Sequence, residues 1–403
     1  MDQVTIELDP EHTERPMIQN TAALFGRDVF RENYGEFIKA FPDIGLKLHL
    51  GADRMIEAYR QKWAKARESI FHEVPGHTHR DQALMYAAYS LYYDLLSNLD
   101  EFTEKTSFVN ICKRTGANAW QGSKLKASDM IEKAGKALGA SQIGFAEVNP
   151  LYLYVRKDKE YPPEMKYVIA ILTEWSPEGI KRADTAIGTM ANRVQAFREQ
   201  NAVWGLRNFI RGLGYREEVF AAPWPAYGVL NGLGEIGRMN RLVSPIYGAA
   251  VNIYCLVTDL PLAVDKPIDF GLQEFCKRCK KCTKTCPVGA VSMADEPTWK
   301  TKGIWNVPGK KVYYENGVLC GEYQFKQDTS CSICLGACPW TKQDITVLHK
   351  ISKAMSAKFP WAAKFMVFMD DLFGYGTTKE PKKLEAWWKM DLPPLGINTM
   401  RRH

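Results

Sequence analysis

The sequence predicts an α+β chain, with a layered helix-and-sheet core followed by a compact cysteine-rich segment. Three observations carry this. Apolar runs of strand length alternate with long helical patterns between residues 127 and 261. The first hundred residues look mostly helical. Eight of the ten cysteines fall between residues 276 and 338.

The helical reading of the first hundred residues rests on stretches such as RMIEAYRQKWAKARESIF and DQALMYAAYSLYYDLLSNL. Residues 101–126 are polar and loop-like. ASDMIEKAGKALG then reads as an amphipathic helix over 127–138, stopped by Gly139. SQIGFAEV reads as a strand. KYVIAILTEW, from Lys166, is a second strand whose nearly continuous apolar run suits burial. From Asp184 to Leu213, apolar residues at Ile187, Met190, Val194, Phe197, Val203, Leu206 and Ile210 give a long helix that stops at Gly214. AAVNIYCLVTDLP, over 249–261, is strand-like. The expected organisation is a mostly helical region over 1–125, a core over 126–265, a cysteine-rich domain over 266–345, and a segment over 346–403 that packs back on the core.

At 403 residues the chain is long enough for one large domain or two ordinary ones. Its 11 Trp, 18 Tyr and 18 Phe suit a sizeable core or a pocket for a large flat ligand. Net charge is +7, but Lys and Arg are scattered and no long basic run argues for nucleic acid. A positive chain can still attract an acidic electron carrier to a docking face. The opening MDQVTIELDPEHTERPM has neither a basic n-region nor an apolar h-region, and no apolar stretch of about 18 residues occurs. As written, the chain is expected to be soluble and cytoplasmic. With a leader removed, an exported or membrane-associated protein would look the same.

Clustered CxxC units in a long chain point to metal rather than to disulfides. FCKRCKKCTKTCP places Cys276, Cys279, Cys282 and Cys286 in the C-x2-C-x2-C-x3-C-P spacing of bacterial ferredoxins. Three thiolates two residues apart wrap a loop around three corners of a cubane, and the fourth faces a second cluster. Pro287 turns the chain away without needing a backbone donor. LCGEYQFKQDTSCSICLGACPW carries Cys320, Cys331, Cys334 and Cys338, with the first cysteine moved outward by a ten-residue spacer. By the ferredoxin crossing rule, Cys276, Cys279 and Cys282 share one 4Fe–4S cluster with Cys338, while Cys320, Cys331 and Cys334 share the other with Cys286. Structural zinc is the alternative, but it favours two CxxC pairs over a third cysteine and a CP ending. Cys112 and Cys255 read as small buried hydrophobes.

Two further motifs carry less. Gly232, Gly234 and Gly237 match G-x-G-x-x-G, with Asp259 downstream. The preceding AAPWPAYGVL contains Pro223 and Pro225 and is not a clean buried strand, so a glycine-rich turn against a flat cofactor or another backbone is expected. His77 and His79 lack a cysteine or acidic partner at ligand spacing and read as a solvated loop.

KALGASQIGFAEVN, NFIRGLGY, GLGEIGRMNRLVSPIYGAAVNIYCLVTDLPL, DKPIDFGLQEFCKRCKKCTKTCP, CSICLGACPWTK and FMDDLFGYG follow one another in an order that resembles the reductive dehalogenases, a corrinoid iron–sulfur enzyme family. Epoxyqueuosine reductase shares the SP-x-YG element and the two CP motifs. The resemblance implies a nitroreductase-like core that holds a base-off, cobalamin-type corrinoid beside a ferredoxin-like two-cluster domain. It implies cofactor contacts at Ser244, Pro245, Tyr247 and Gly248 of the SPIYG turn and near Arg238. A D-x-H-x-x-G corrinoid motif is absent here, as in the family.

The departures bear on the chemistry. The family's proton-donating tyrosine falls on Ala196, and its supporting basic residue falls on Asn252. A polar pocket residue is replaced by the AAPWP stretch. Alanine cannot give a proton, and neutral asparagine cannot stabilise a tyrosinate. The expected catalytic neighbourhood is therefore Asn252 with Tyr247 and Tyr227 as phenols; Tyr154 is a further phenol. Three readings follow: a corrinoid-dependent reductase of an organohalide, a similar reductase acting on another leaving group, and an electron-transfer or corrinoid-carrying protein without catalysis. A low-potential donor such as ferredoxin or flavodoxin is implied, and a separate anchor protein is a route to peripheral membrane association.

Overall fold

A computed structural model describes residues 65, 68–78, 80–81, 118–149, 152, 162–219, 223–303, 305–327, 329–341 and 359–397. The helices expected over 54–71 and 81–99 lie almost wholly outside the described residues, as do Cys112 and Tyr154. In chain order the elements are α1 (Lys124–Ala137), β1 (Gln142–Glu147), β2 (Tyr167–Glu174), α2 (Pro177–Ile180), α3 (Ala186–Gly212), β3 (Glu217–Val219), α4 (Trp224–Leu230), β4 (Glu235–Ile236), β5 (Leu242–Val243) and β6 (Val251–Thr258). The cysteine-rich part adds α5 (Leu272–Cys279), α6 (Lys281–Lys284), α7 (Gly317–Gln327) and α8 (Ile333–Gly336), and α9 (Pro360–Leu372) and α10 (Pro381–Ala386) follow. Mixed helix and sheet is thus the observed class. Among the described residues no helix is long and apolar enough to cross a membrane.

Local chemistry sets the ends of the main helices. Ser123 caps α1 by accepting from the Lys126 amide, and Gly139 leaves it at φ 115°. Thr185 caps α3 by accepting from the Gly188 amide, and Gly214 turns out of it at φ 87°. Within the AAPWPAYGVL stretch, unsuited to a strand, WPAYGVL forms α4, with Pro225 in its first turn, where a missing N–H costs nothing.

The four strands of the main sheet run in the order β1-β2-β6-β3, each pair antiparallel. Alternation along the strands sends their side chains to two separate cores. Val168, Ala170, Leu172, Ile253, Cys255 and Val257 pack against Tyr227 and Val229 of α4. Ile143, Phe145, Ile169, Ile171 and Leu256 pack against Ile131 of α1 and Val203, Leu206 and Ile210 of α3. Both faces are therefore covered, and all eight residues of β2 are buried.

The glycine pattern at 232–237 serves backbone packing. A Cβ at Gly234 would lie 2.2 Å from the Val243 carbonyl oxygen, because β4 and β5 close a tight hairpin there. The cysteine-rich part is then tied down by charge. Lys281 is buried and pairs with Asp370 and Asp371 at the end of α9, which explains the acidic pair in FMDDLFGYG. Asp184, just before α3, accepts from Tyr323 Oη at 2.7 Å and Thr329 Oγ1 at 3.0 Å.

Gly234→Ala should lower stability by about 1–3 kcal/mol, the usual cost of forcing an atom into a packed site. Thermal melts of the purified variant check this; an unchanged midpoint would show that the hairpin can relax.

Candidate functional site

The cysteines lie where the chain turns most sharply. Cys276 and Cys279 sit on α5 and Cys282 on α6, with Lys280 between the helices in the left-handed conformation at φ 50°. Cys320 is on α7, Cys334 on α8, and Cys331 and Cys338 flank α8. All eight are free thiols.

Their electrostatic neighbours divide them into two groups. Cys338 feels Cys276, Cys279 and Cys282. Cys331 feels Cys320 and Cys286, and Cys334 feels Cys320 and Cys331. Cys334 also feels Cys282, so the groups adjoin. Burial first, and then the neighbouring thiols, push most of these groups up; Cys279 and Cys331 reach about 12. Bare, they would be protonated; a bound metal would hold them as thiolates. Amides of Lys281, Ile333 and Trp340 donate to the sulfurs of Cys279, Cys331 and Cys338.

Among the described residues, no three His, Cys, Asp or Glu side chains converge closely enough to hold a single metal ion. Thiolates on one zinc ion would stand about 4 Å apart, given Zn–S of roughly 2.3 Å.

Arg238 is spent on the first cysteine loop. Its guanidinium is buried and donates to the carbonyls of Cys276 at 3.0 Å, Ser292 at 3.1 Å and Ala294 at 2.6 Å. It also lies 4.0 Å over the Tyr313 ring. The side chain, expected near the cofactor, braces the backbone of the first cysteine loop with four of its five N–H donors.

The SPIYG turn closes on itself. Ser244 and Gly248 exchange backbone hydrogen bonds of 2.8 and 2.9 Å. The Ser244 hydroxyl accepts from the Ile246 and Tyr247 amides and donates to Gln142 Oε1, so this side chain too is taken internally. Pro245 and Tyr247 keep partial exposure. Gly248, at φ 68°, lies so near the Trp340 carbonyl that a Cβ would stand 2.1 Å from it. Next to it the Ala249 amide donates to Thr341 Oγ1 at 3.1 Å. The turn into β6 is thus seated on the residues that follow Cys338.

The candidate phenols separate. Tyr227 is fully buried against Tyr152, and its hydroxyl exchanges hydrogen bonds with the Asn149 backbone. It is a core tyrosine, which corrects its expected place in the catalytic group. Tyr247 is half-buried and donates to the Ser141 carbonyl at 3.4 Å.

Asn252 has the richest surroundings. It pairs with Thr173 across β6 and β2, and its Oδ1 accepts from Trp175 Nε1 at 3.3 Å. Its side chain also hydrogen-bonds to the Glu199 carboxyl. Gln195 Nε2 donates to Glu199 at 3.0 Å and to Thr173 Oγ1. Ala196 lies buried on the same turn of α3. Burial raises the Glu199 carboxyl to about 7. Sequence reasoning missed Glu199 and Gln195. It set Met190, Val194 and Phe197 in the buried stripe, but these are half-buried, while Gln195, Arg198, Glu199 and Gln200 are buried. Polar residues at i and i+4 within a buried helix were the available signal.

β6 is paired on both sides, yet Asn252 and Tyr254 on its α3 face retain accessible surface, while Val251, Ile253 and Cys255 opposite are buried. At 252 and 254 the α3 face of β6 is therefore only partly covered, which leaves room there for a cleft onto this strand.

An α+β core is thus joined to two adjoining groups of free thiols. The reductive dehalogenase subunit family matches residues 154–262, which hold α3, the SPIYG turn and β6. The chain is 35% identical over 205 residues to the trichloroethene reductive dehalogenase of Dehalococcoides mccartyi, covering 48% of this chain and 34% of that protein. It is 33% identical over 181 residues to the tetrachloroethene reductive dehalogenase of Sulfurospirillum multivorans, covering 43% and 35%. A solved catabolic reductive dehalogenase superposes with TM-score 0.58 at 26% identity, covering 67% of this chain and 39% of that one. Epoxyqueuosine reductase of Lactococcus garvieae is 34% identical over 116 residues, covering 28% of this chain and 30% of that protein. The chain is a relative of the reductive dehalogenases and spans about a third of the length of the first two.

Arg238→Met should leave several buried carbonyls without donors, at about 1–3 kcal/mol for each. The first cysteine loop should become the site of earliest unfolding by hydrogen exchange. Protection equal to that of the parent chain would show that Arg238 is not its brace.

Proposed function

We propose that this chain is a corrinoid-dependent iron–sulfur reductase that removes halide from an organohalide. The observation that carries this reading is the grouping of eight free thiols into two adjoining sets of four, one of them seated against the turn that enters the cleft strand. In this reading Cys276, Cys279, Cys282 and Cys338 hold one 4Fe–4S cluster, and Cys286, Cys320, Cys331 and Cys334 hold the other. The core over 126–265 is nitroreductase-like, and the segment over 266–345 is the ferredoxin-like domain. One solved relative, of TM-score 0.58, is described as performing B12-dependent dehalogenation.

When bound, the clusters carry single electrons and the corrinoid supplies a two-electron cobalt centre. The residues of this chain do the rest. The SPIYG turn and β6 orient the cleft, and Asn252 and Tyr247 present polar groups to it. The reaction balances as follows: the carbon–halogen bond breaks, two electrons and one proton enter, a carbon–hydrogen bond forms and halide leaves. A low-potential donor such as ferredoxin or flavodoxin supplies the electrons, and the positive charge of the chain favours an acidic one.

A second reading, a similar reductase acting on a non-halogenated leaving group, is favoured by Ala196 and Asn252, where the family pair is expected. A chain that only carries electrons or corrinoid is the third. Anaerobic reconstitution with cobalt and iron analysis, followed by halide release from chlorinated and brominated phenols and alkenes, separates them. Cobalt with halide release supports the first reading. Cobalt without halide from any of the panel contradicts it and favours the second. Iron alone favours an electron carrier.

Cys338→Ala should damage the cluster built on the first motif, although it lies in the second. Spectroscopy of single variants reads which cluster is lost. Loss of only the Cys331 and Cys334 cluster would contradict the assignment.

A further inference from the structure

The middle of α3 buries a carboxyl group that no cation among the described residues balances. Glu199 is 6% exposed and stands among Gln195, Thr173 and Asn252, with Trp175 holding the far side of Asn252. The Gln195 side chain is 1% exposed, and its Oε1 has no hydrogen-bond partner. From the opposite face of β6, the Cys255 thiol is raised by its burial and then by the charge of Glu199. On α3 itself, the guanidinium of Arg198 donates to the carbonyls of Glu174 and Gly139. From β2 the facing side chain is the neutral Thr173. Among the described residues, the groups that set the ionisation of Glu199 are burial and three neutral hydrogen-bond partners.

We infer that Glu199 is the buried proton reservoir of the cleft, with Gln195 and Asn252 as the positioning residues that hold its carboxyl beside the central strand. This rests on the reductase reading given above. Each turnover would take one proton from the Glu199 carboxyl as the new carbon–hydrogen bond forms, and solvent would return it afterwards. The two electrons come from the same external donor. Gln195 Oε1, buried and unpartnered, is the acceptor to which a proton-carrying hydroxyl entering the cleft can bind.

The neutral residue at 252 then has a reason. A carboxylic acid stores a proton only while it stays uncharged. An arginine in contact with it would favour the carboxylate and empty the store. A buried carboxyl near neutrality is already suited to give a proton at physiological pH without a cation.

The linkage has a definite sign. The folded chain holds the Glu199 proton up to about pH 7, while the ordinary value is 4.5. The stabilisation is complete below the lower value and is lost as pH rises through the upper one. The thermal midpoint should therefore fall between these two values more steeply in the parent chain than in Glu199→Gln. This comparison needs no turnover and is made on the anaerobically reconstituted full chain. Halide release, measured on the same preparations, should drop about a hundredfold in Glu199→Gln, within the usual range for losing an acid. Glu199→Asp should recover part of it. In the parent chain the rate should fall as pH rises through about 7, a limb that Glu199→Gln lacks.

Parallel pH–stability curves for parent and Glu199→Gln would overturn the proposal, as would undiminished halide release in Glu199→Gln. A faster Asn252→Arg variant would overturn it too, because it would show that the cleft works better with the carboxyl ionised. Divergent stability curves in a chain that releases no halide would support the proton site while contradicting the dehalogenase reading.

Discussion

Gly248 passes so close to the Trp340 carbonyl that no side chain fits between them. This contact joins the strand that lines the cleft to the residues directly after Cys338. It depends on a left-handed glycine, on the Ser244–Gly248 backbone pair and on Thr341, whose hydroxyl receives the Ala249 amide and donates to Leu335. Phe270 and Phe275 pack edge-on against Trp340, fixing its ring from the side of the first cysteine loop. One small interface thus holds both cysteine motifs and the sheet in register. In the proposed reductase, that register sets the distance between the cysteine-rich part and the cleft.

Charge is handled differently on the two sides of this interface. Around the cysteines, buried cations are fully engaged: Arg238 by carbonyls and an aromatic ring, Lys281 by Asp370 and Asp371. Lys310, also buried, is lowered to about 8, chiefly by burial, and donates to Asn240 Oδ1. Fixed positive charge beside grouped thiols suits a centre that carries negative charge when occupied. At the cleft the arrangement is neutral, a carboxyl and two amides under a tryptophan N–H. The cysteine side thus pairs its buried cations, while the carboxyl beside β6 is surrounded by neutral groups.

Much of this was legible in the sequence, for local reasons. The cysteine spacings are set by how a short loop wraps a cluster, so they stand out without any tertiary context. The β2 run followed from burial on both faces, and the end of α3 from its glycine stop, although the buried stripe of α3 was misplaced around 190–197. The sequence did not reveal features that depend on distant neighbours. Pro225 argued against a strand but did not announce a helix. Arg238 looked available until carbonyls from two backbone segments converged on it. Tyr227 looked like a free phenol until Asn149 took both sides of its hydroxyl. Glu199 was overlooked because a glutamate on a helix is ordinarily a solvent-facing residue; only its neighbours from two other strands make it a buried acid.

The account stands on two clusters lying side by side between the donor and the cleft. Low-temperature electron paramagnetic resonance of the reduced, anaerobically purified chain tests this most directly. Two reduced 4Fe–4S centres close enough for Cys334 to feel Cys282 should broaden and split each other's signals, and single cysteine variants should leave one simple signal. A spectrum of two independent centres, or a chain loaded with zinc and silent throughout, would contradict it.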